Sequence, residues 1–194
     1  MALTGGIATG KSYVRARLEE RGVPTSDADT FARAVVAPGT LGLEAVVRAF
    51  GPGVLDATGA LDRRKLGAIV FADPGKRKLL EGIVHPAVRE ATDAWFAHLE
   101  PGVQFAVADI PLLYETGRDR DFEKVIVVAC DPGTQLQRLM ARDHLTEPEA
   151  RQRIDAQLPI EEKVRRADYV IRTDGSFGET DRQVSEVFER LRGA

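Results

Sequence analysis

Eight residues near the start of the chain, Gly5-Gly6-Ile7-Ala8-Thr9-Gly10-Lys11-Ser12, have the types and spacing to hold a polyphosphate. They satisfy G-x-x-x-x-G-K-[ST] at every constrained position. Glycines let the backbone take positive φ and approach phosphate oxygens closely. Successive N–H groups then point into one concavity that suits an anion. A helix beginning near Lys11, with Val14 and Leu18 on its apolar side, adds the positive end of its dipole. Lys11 supplies a mobile charge for the β- and γ-phosphates, and the Ser12 hydroxyl can coordinate Mg²⁺.

Three further groups could do chemistry beside such a loop. Phe105–Asp109 reads as an apolar strand ending in an acid, and Asp109 is a candidate to orient the magnesium ion or its water; the plainer reading is a cap on the turn before Pro111. Asp27-Ala28-Asp29 follows a candidate strand at Val23–Ser26. Ligands of doubly wound sheets sit beyond the carboxyl ends of the strands. A carboxylate there can take the proton of an attacking hydroxyl during phosphoryl transfer. Asp27 suits the N-cap of the helix that follows, and Asp29 suits the base. Arg138 and Arg142 are four apart, so they share one helix face, where guanidinium groups can brace phosphate oxygens as charge shifts. The polar stretch from His144 to Ala167 reads as a mobile lid; the remaining charges between 138 and 166 read as solvated surface. An Asn-Lys-x-Asp guanine-reading motif does not occur in the chain, which weakens a GTPase switch.

The elements that must position these groups alternate. Apolar runs at Phe105–Ile110, Val125–Cys130 and Tyr169–Ile171, with weaker ones at Met1–Thr4 and Val23–Ser26, suit buried strands of a parallel sheet. Val184, Val187, Phe188 and Leu191 recur at helical spacing, as do Leu43, Val46, Val47 and Phe50. Asp73-Pro74 and Asp131-Pro132 place an N-cap before Pro at the first helical position, and Thr146 with Glu149 has the capping-box spacing. The fold class is therefore α/β. From Gly39 to Glu100 the alternation stops, and helices at about 41–50, 63–71, 74–84 and 86–99 are expected. That stretch is longer than a crossover needs and reads as an inserted subdomain.

The 194 residues fit one domain of this kind, with core 1–38 and 101–194, insert 39–100 and lid about 142–160. Lys and Arg number 27 against 30 Asp and Glu, a net charge of −3, which argues against a nucleic-acid partner. The single cysteine, Cys130, excludes an intramolecular disulfide framework and reads as an inert buried thiol. No apolar run approaches the ~20 residues of a membrane span. The first residues lack a secretory signal, so the expected compartment is the cytoplasm.

Taken together, the motifs resemble the dephospho-CoA kinase family from end to end. The resemblance rests on Leu3–Ser12, Asp27-Ala28-Asp29, Gly59–Arg63, Val70–Pro74, His85-Pro86-Ala87-Val88-Arg89, Asp109–Glu115 and Arg138–Asp143. His-Pro-x-x-Arg together with Pro-Leu-Leu-x-Glu behind a phosphate loop is its specific part. It implies a P-loop kinase core, a parallel five-stranded sheet flanked by helices, with a helical substrate-binding insert and a lid. It implies ATP and dephospho-CoA as substrates, Mg²⁺ as cofactor, and transfer to the 3′-hydroxyl. By position, Asp29 corresponds to the base, while Lys11, Arg138 and Arg142 stabilise the transferring group. Gly6, Ile7, Ala8, Thr9, Gly10, Lys11, Ser12 and Tyr13 correspond to the ATP-binding residues. Arg63, His85, Arg89 and Glu115 fall on the acceptor side, and Ser12 and Asp109 on the metal. Two of these have plainer readings: His85 as a turn residue before proline, and Glu115 as an orienter of a basic neighbour. The chain departs from the family at Ala8, where a further Gly is usual, at Tyr13, where Thr is common, and at Ile171–Gly175, where Asn usually precedes the glycine near the adenine.

Overall fold

The computed structural model describes residues 1–193. Five strands occur: β1 (Ala2–Gly5), β2 (Thr25–Asp27), β3 (Val107–Asp109), β4 (Val125–Ala129) and β5 (Tyr169–Arg172). The helices in chain order are α1 (Lys11–Glu19), α2 (Ala28–Ala34), α3 (Leu41–Phe50), α4 (Arg63–Ala72), α5 (Pro74–Ala97), α6 (Pro132–Asp143), α7 (Glu147–Asp155), α8 (Ile160–Arg165) and α9 (Phe177–Arg192). Two compact units result: Met1–Ser26 with the chain from Glu100 onward, and Asp27–Leu99. The division falls after residue 26, not at the expected 38/39 break, because α2 packs on α5 and so belongs with the helices that follow it.

The first unit is built on a parallel sheet of order β2-β3-β1-β4-β5. Central β1 pairs with β3 through Leu3 and Asp109, and with β4 through Leu3 and Ile126. All five residues of β4 are buried, as a strand covered on both faces requires. On one side Leu3, Ile126, Val128 and Ile171 meet Val14 and Leu18 of α1 and Val184, Val187 and Leu191 of α9. Each such side chain taken from water stabilises the fold by about 1.5–3 kcal/mol. Strands β2, β3 and β4 are shorter than their apolar runs. Phe105 precedes β3 and packs its ring 5.9 Å from Phe188. Strand β2 begins only after Pro24, which has no N–H for a ladder but accepts from Val107 N through its carbonyl.

The second unit is helical, around Val36, Val46, Val54 and Leu66. Asp62 and Asp73 accept first-turn N–H bonds at the starts of α4 and α5, with Pro74 at the first helical position as expected. The two helices anticipated at 74–84 and 86–99 are one: α5 runs through Pro86. His85 is therefore a helix residue and not a turn residue. Proline removes a single donor, while α2, α3 and α4 all pack on α5 and hold its halves in one helix. Among the described residues no helix is long and apolar enough to cross a membrane.

Candidate active site

The phosphate loop grows directly out of β1. At Gly5 an added Cβ would lie 2.5 Å from the Val128 carbonyl oxygen and 2.8 Å from Thr9 Oγ1, so the close approach requires glycine. Gly10 turns the chain into α1 with φ of 86°, and Ala8 adopts φ of 60° without glycine's freedom. Gly10 stands at the N-cap of α1 and brings no side chain to the first-turn N–H groups. Tyr13 N turns back to the Gly10 carbonyl at 3.0 Å, so the N–H groups of Lys11 and Ser12 and the helix dipole are left for an anion.

Side chains from three other elements fix the loop's shape. Gln135 of α6 donates to the Ile7 carbonyl at 2.8 Å, and Gln157, between α7 and α8, accepts from Ile7 N at 2.7 Å. Thr173, just beyond β5, donates to the Thr9 carbonyl at 2.7 Å, and Thr9 Oγ1 donates to Gly6 O at 2.9 Å. Neither glutamine stands out in the sequence. Thr173 is noticed there only as a departure from the family, and its use is to join β5 to the loop.

Lys11 is ion-paired with Asp109 Oδ1, and Arg15 Nη1 lies 3.2 Å from Asp109 Oδ2. Asp109 is 2% exposed, so its charge is tolerable only because both oxygens face cations. Adjacent β1 and β3 bring this pair together across the register of Leu3 and Asp109. Ser12, by contrast, is exposed in the first turn of α1. Tyr13 donates to Asp181 at 2.9 Å and stacks 4.8 Å from Phe177; desolvation and that hydrogen bond push its phenol upward.

The two arginines of α6 behave differently. Arg138 is bidentate on Thr173, to Oγ1 at 2.9 Å and to the carbonyl at 2.7 Å, which aims it at the loop. Arg142, one turn on, is exposed and bonded to Asp143 at 2.8 Å. That bond holds the Asp143 carboxyl below the usual range, and Arg153 also bonds it at 2.9 Å. Asp131 caps α6 by accepting from Thr134 N at 2.9 Å. The region from 142 to 160 runs from the last residues of α6 through α7, opened by the expected Thr146–Glu149 capping box, to the first residue of α8.

Glu115 does not stand alone: it forms an ion pair with Lys163 at 2.7 Å and accepts from Leu158 N at 2.9 Å. Its plainer reading, orienting a basic neighbour, is the one the contacts support. Lys163 itself is fully buried, which overturns its assignment to solvated surface.

Asp29, Arg63, His85 and Arg89 belong to the helical unit. Asp27 accepts from Asp29 N at 2.8 Å and is the N-cap of α2, as expected, while the Asp29 side chain projects from an exposed residue in the first turn. Arg63 opens α4, exposed. His85 and Arg89, both exposed, are four apart on α5 and so share a face. Cys130 is buried, and burial raises its thiol to about 11, in keeping with an unreactive role.

The donor set fits magnesium. Among the described residues no cluster of three or more His, Cys, Asp or Glu could cage a metal alone. Mg²⁺ commonly takes one or two protein oxygens and completes its shell with water and substrate phosphates. A hydroxyl at position 12 and a carboxylate at 109, flanking a phosphate loop, are that kind of set.

Residues 1–179 match the family model described as Dephospho-CoA kinase. A dephospho-CoA kinase of Geobacillus kaustophilus is 50% identical, over 98% of this chain and 95% of that one. The solved structure of dephospho-CoA kinase from Campylobacter jejuni is 30% identical, with a TM-score of 0.76 over 99% of this chain and 96% of that chain. A shikimate kinase from Acinetobacter baumannii, 17% identical with a TM-score of 0.56 over 99% of this chain and 92% of its own, shares the fold alone.

Proposed function

The chain belongs to the dephospho-CoA kinase family, and we propose that it transfers the γ-phosphoryl group of ATP to the 3′-hydroxyl of dephospho-CoA, giving coenzyme A and ADP. The observation that carries this reading is a phosphate loop fixed from several sides, with Lys11 held by Asp109 at its mouth. Such a loop binds and orients a triphosphate before any chemistry occurs.

In this reaction the backbone N–H groups of Gly6, Ala8, Gly10, Lys11 and Ser12 bind the phosphates, while those of Ile7, Thr9 and Tyr13 hold the loop's shape on Gln157, Gly6 and Gly10, and Lys11 neutralises charge on the β- and γ-groups. Arg138, already aimed along the loop by Thr173, faces the charge that builds on the transferring group; Arg142 joins it by releasing Asp143. Asp29 accepts the proton of the 3′-hydroxyl as that oxygen bonds to the γ-phosphorus. The bond from the γ-phosphorus to the β,γ-bridging oxygen breaks, and ADP leaves. Arg63, His85 and Arg89 hold the phosphates of the acceptor. Ser12 and Asp109 would hold a magnesium ion, which neutralises the β- and γ-phosphates when bound. The region 142–160 serves as a lid that excludes water and limits ATP hydrolysis. The compartment proposed for the reaction is the cytoplasm, where a buried thiol such as Cys130 stays reduced.

An ADP-release assay across acceptors tests the reading. Dephospho-CoA is expected to be turned over and nucleoside monophosphates not; the reverse result refutes it. Asp29→Asn is expected to lower kcat by roughly 10²–10⁴-fold while ATP affinity stays nearly intact. An unchanged kcat removes Asp29 from the mechanism.

A further inference from the structure

Lys163 has no part in the reaction as described, yet it is the bulkiest of the fully buried side chains. A buried ammonium must be fully hydrogen-bonded to keep its charge. Its three N–H bonds have three acceptors: Glu115 at 2.7 Å, the Pro111 carbonyl at 3.3 Å and the Gly5 carbonyl at 3.4 Å. Gly5 ends β1 and begins the phosphate loop, and Pro111 lies just past β3 and Asp109. The same short stretch of chain reaches the loop again through Gln157, on Ile7 N, and is anchored by Leu158 N on Glu115. The contacts therefore straddle Gly6, with Lys163 on one side and Gln157 on the other.

We propose that Lys163 is a positioning residue for the phosphate loop, one that sets the peptide planes between Gly5 and Ile7 so that the N–H groups beyond them converge on the triphosphate. Glu115 cancels its charge locally, so its contribution is geometric and not a long-range attraction for phosphate. Gln157 fixes the next peptide, Gly6–Ile7, through Ile7 N. This rests on the phosphoryl-transfer reading. Binding of ATP without acceptor, however, reports on Lys163 whatever hydroxyl is phosphorylated.

The test is Lys163→Met, which keeps an unbranched stem and removes the donors. The expected result is an ATP Kd and KM raised roughly tenfold or more, as small misplacements of a binding frame cost that much. The KM for dephospho-CoA is expected to stay within twofold. Leaving Glu115 without its partner also destabilises the fold, so the double variant Lys163→Met with Glu115→Gln is measured beside it. Its Tm is expected to recover while the ATP constants do not. Recovery of both, or parallel loss of affinity for both substrates, overturns the proposal and leaves Lys163 a stability residue. Should neither variant fold, Gln157→Ala decides: a raised ATP Kd at unchanged Tm supports the proposal, and a Kd within twofold of the parent overturns it.

Discussion

The phosphate loop and the helical unit carry their functional charges in opposite ways. Around the loop, Lys11 and Arg15 engage Asp109, Arg138 grips Thr173, and two glutamines hold Ile7. On the helical unit, Asp29, Arg63, His85 and Arg89 are all exposed on helices. The first arrangement orders its side chains during folding, as a preorganised site for an anion requires. The second presents its side chains at the surface of its helices, where ordering one on a ligand costs roughly 0.5–1.5 kcal/mol. Substitutions at the loop should therefore act on the transition state, and those at Arg63, His85 and Arg89 mainly on acceptor affinity, Asp29 as the base being the exception on that unit.

After Asp29, the largest effect is expected at Lys11. Lys11→Met should lower kcat by about 10²–10³-fold, since a preorganised donor to the transferring group is lost. Steady-state kinetics at saturating ATP checks this; a loss confined to KM would break the contrast. Next, Arg89→Ala should raise the KM for dephospho-CoA roughly tenfold, with the ATP KM unchanged. An equal rise in both constants would mean that the helical unit is not specialised for the acceptor.

Two smaller effects sharpen the picture of the loop and its surroundings. Ala8→Gly should relieve a left-handed residue at φ of 60°. The gain is about 1 kcal/mol, or roughly 2–4 °C in Tm for a chain of this size. Differential scanning calorimetry checks it, and a lower Tm would show that Ala8 is held without strain. The smallest effect concerns Asp131, whose carboxyl is drawn down to about 2, first by the Thr134 hydroxyl and then by the Thr134 N–H. Its pKa in the unfolded chain is near the usual ~3.9, so the unfolded chain binds more protons between those values. The stabilisation is present above about pH 4 and fades as pH falls toward 2. Urea unfolding across that window should show a shallower pH dependence for Asp131→Asn than for the parent.

The loop was legible from sequence because its constraint is local: adjacent glycines, a lysine and a hydroxyl must follow in order. The N-caps Asp73, Asp131 and the Thr146–Glu149 box were legible for the same reason. The groups that fix the loop were not. Gln135, Gln157 and Lys163 reach it across 128, 150 and 158 residues of chain, and nothing in their own neighbourhoods marks them. Lys163 sits in a run of charges that otherwise faces solvent. Pro86 misled in the opposite direction. A local breaker was overridden by packing of α5 against three helices, which no window of sequence displays.

With its lone sulfhydryl, Cys130, buried at the end of β4, the described surface is blank to maleimide chemistry. A cysteine introduced at an exposed helical position would then be the one place a fluorophore attaches. A single dye placed there could report on ligands reaching that helix, with no native thiol to strip out beforehand.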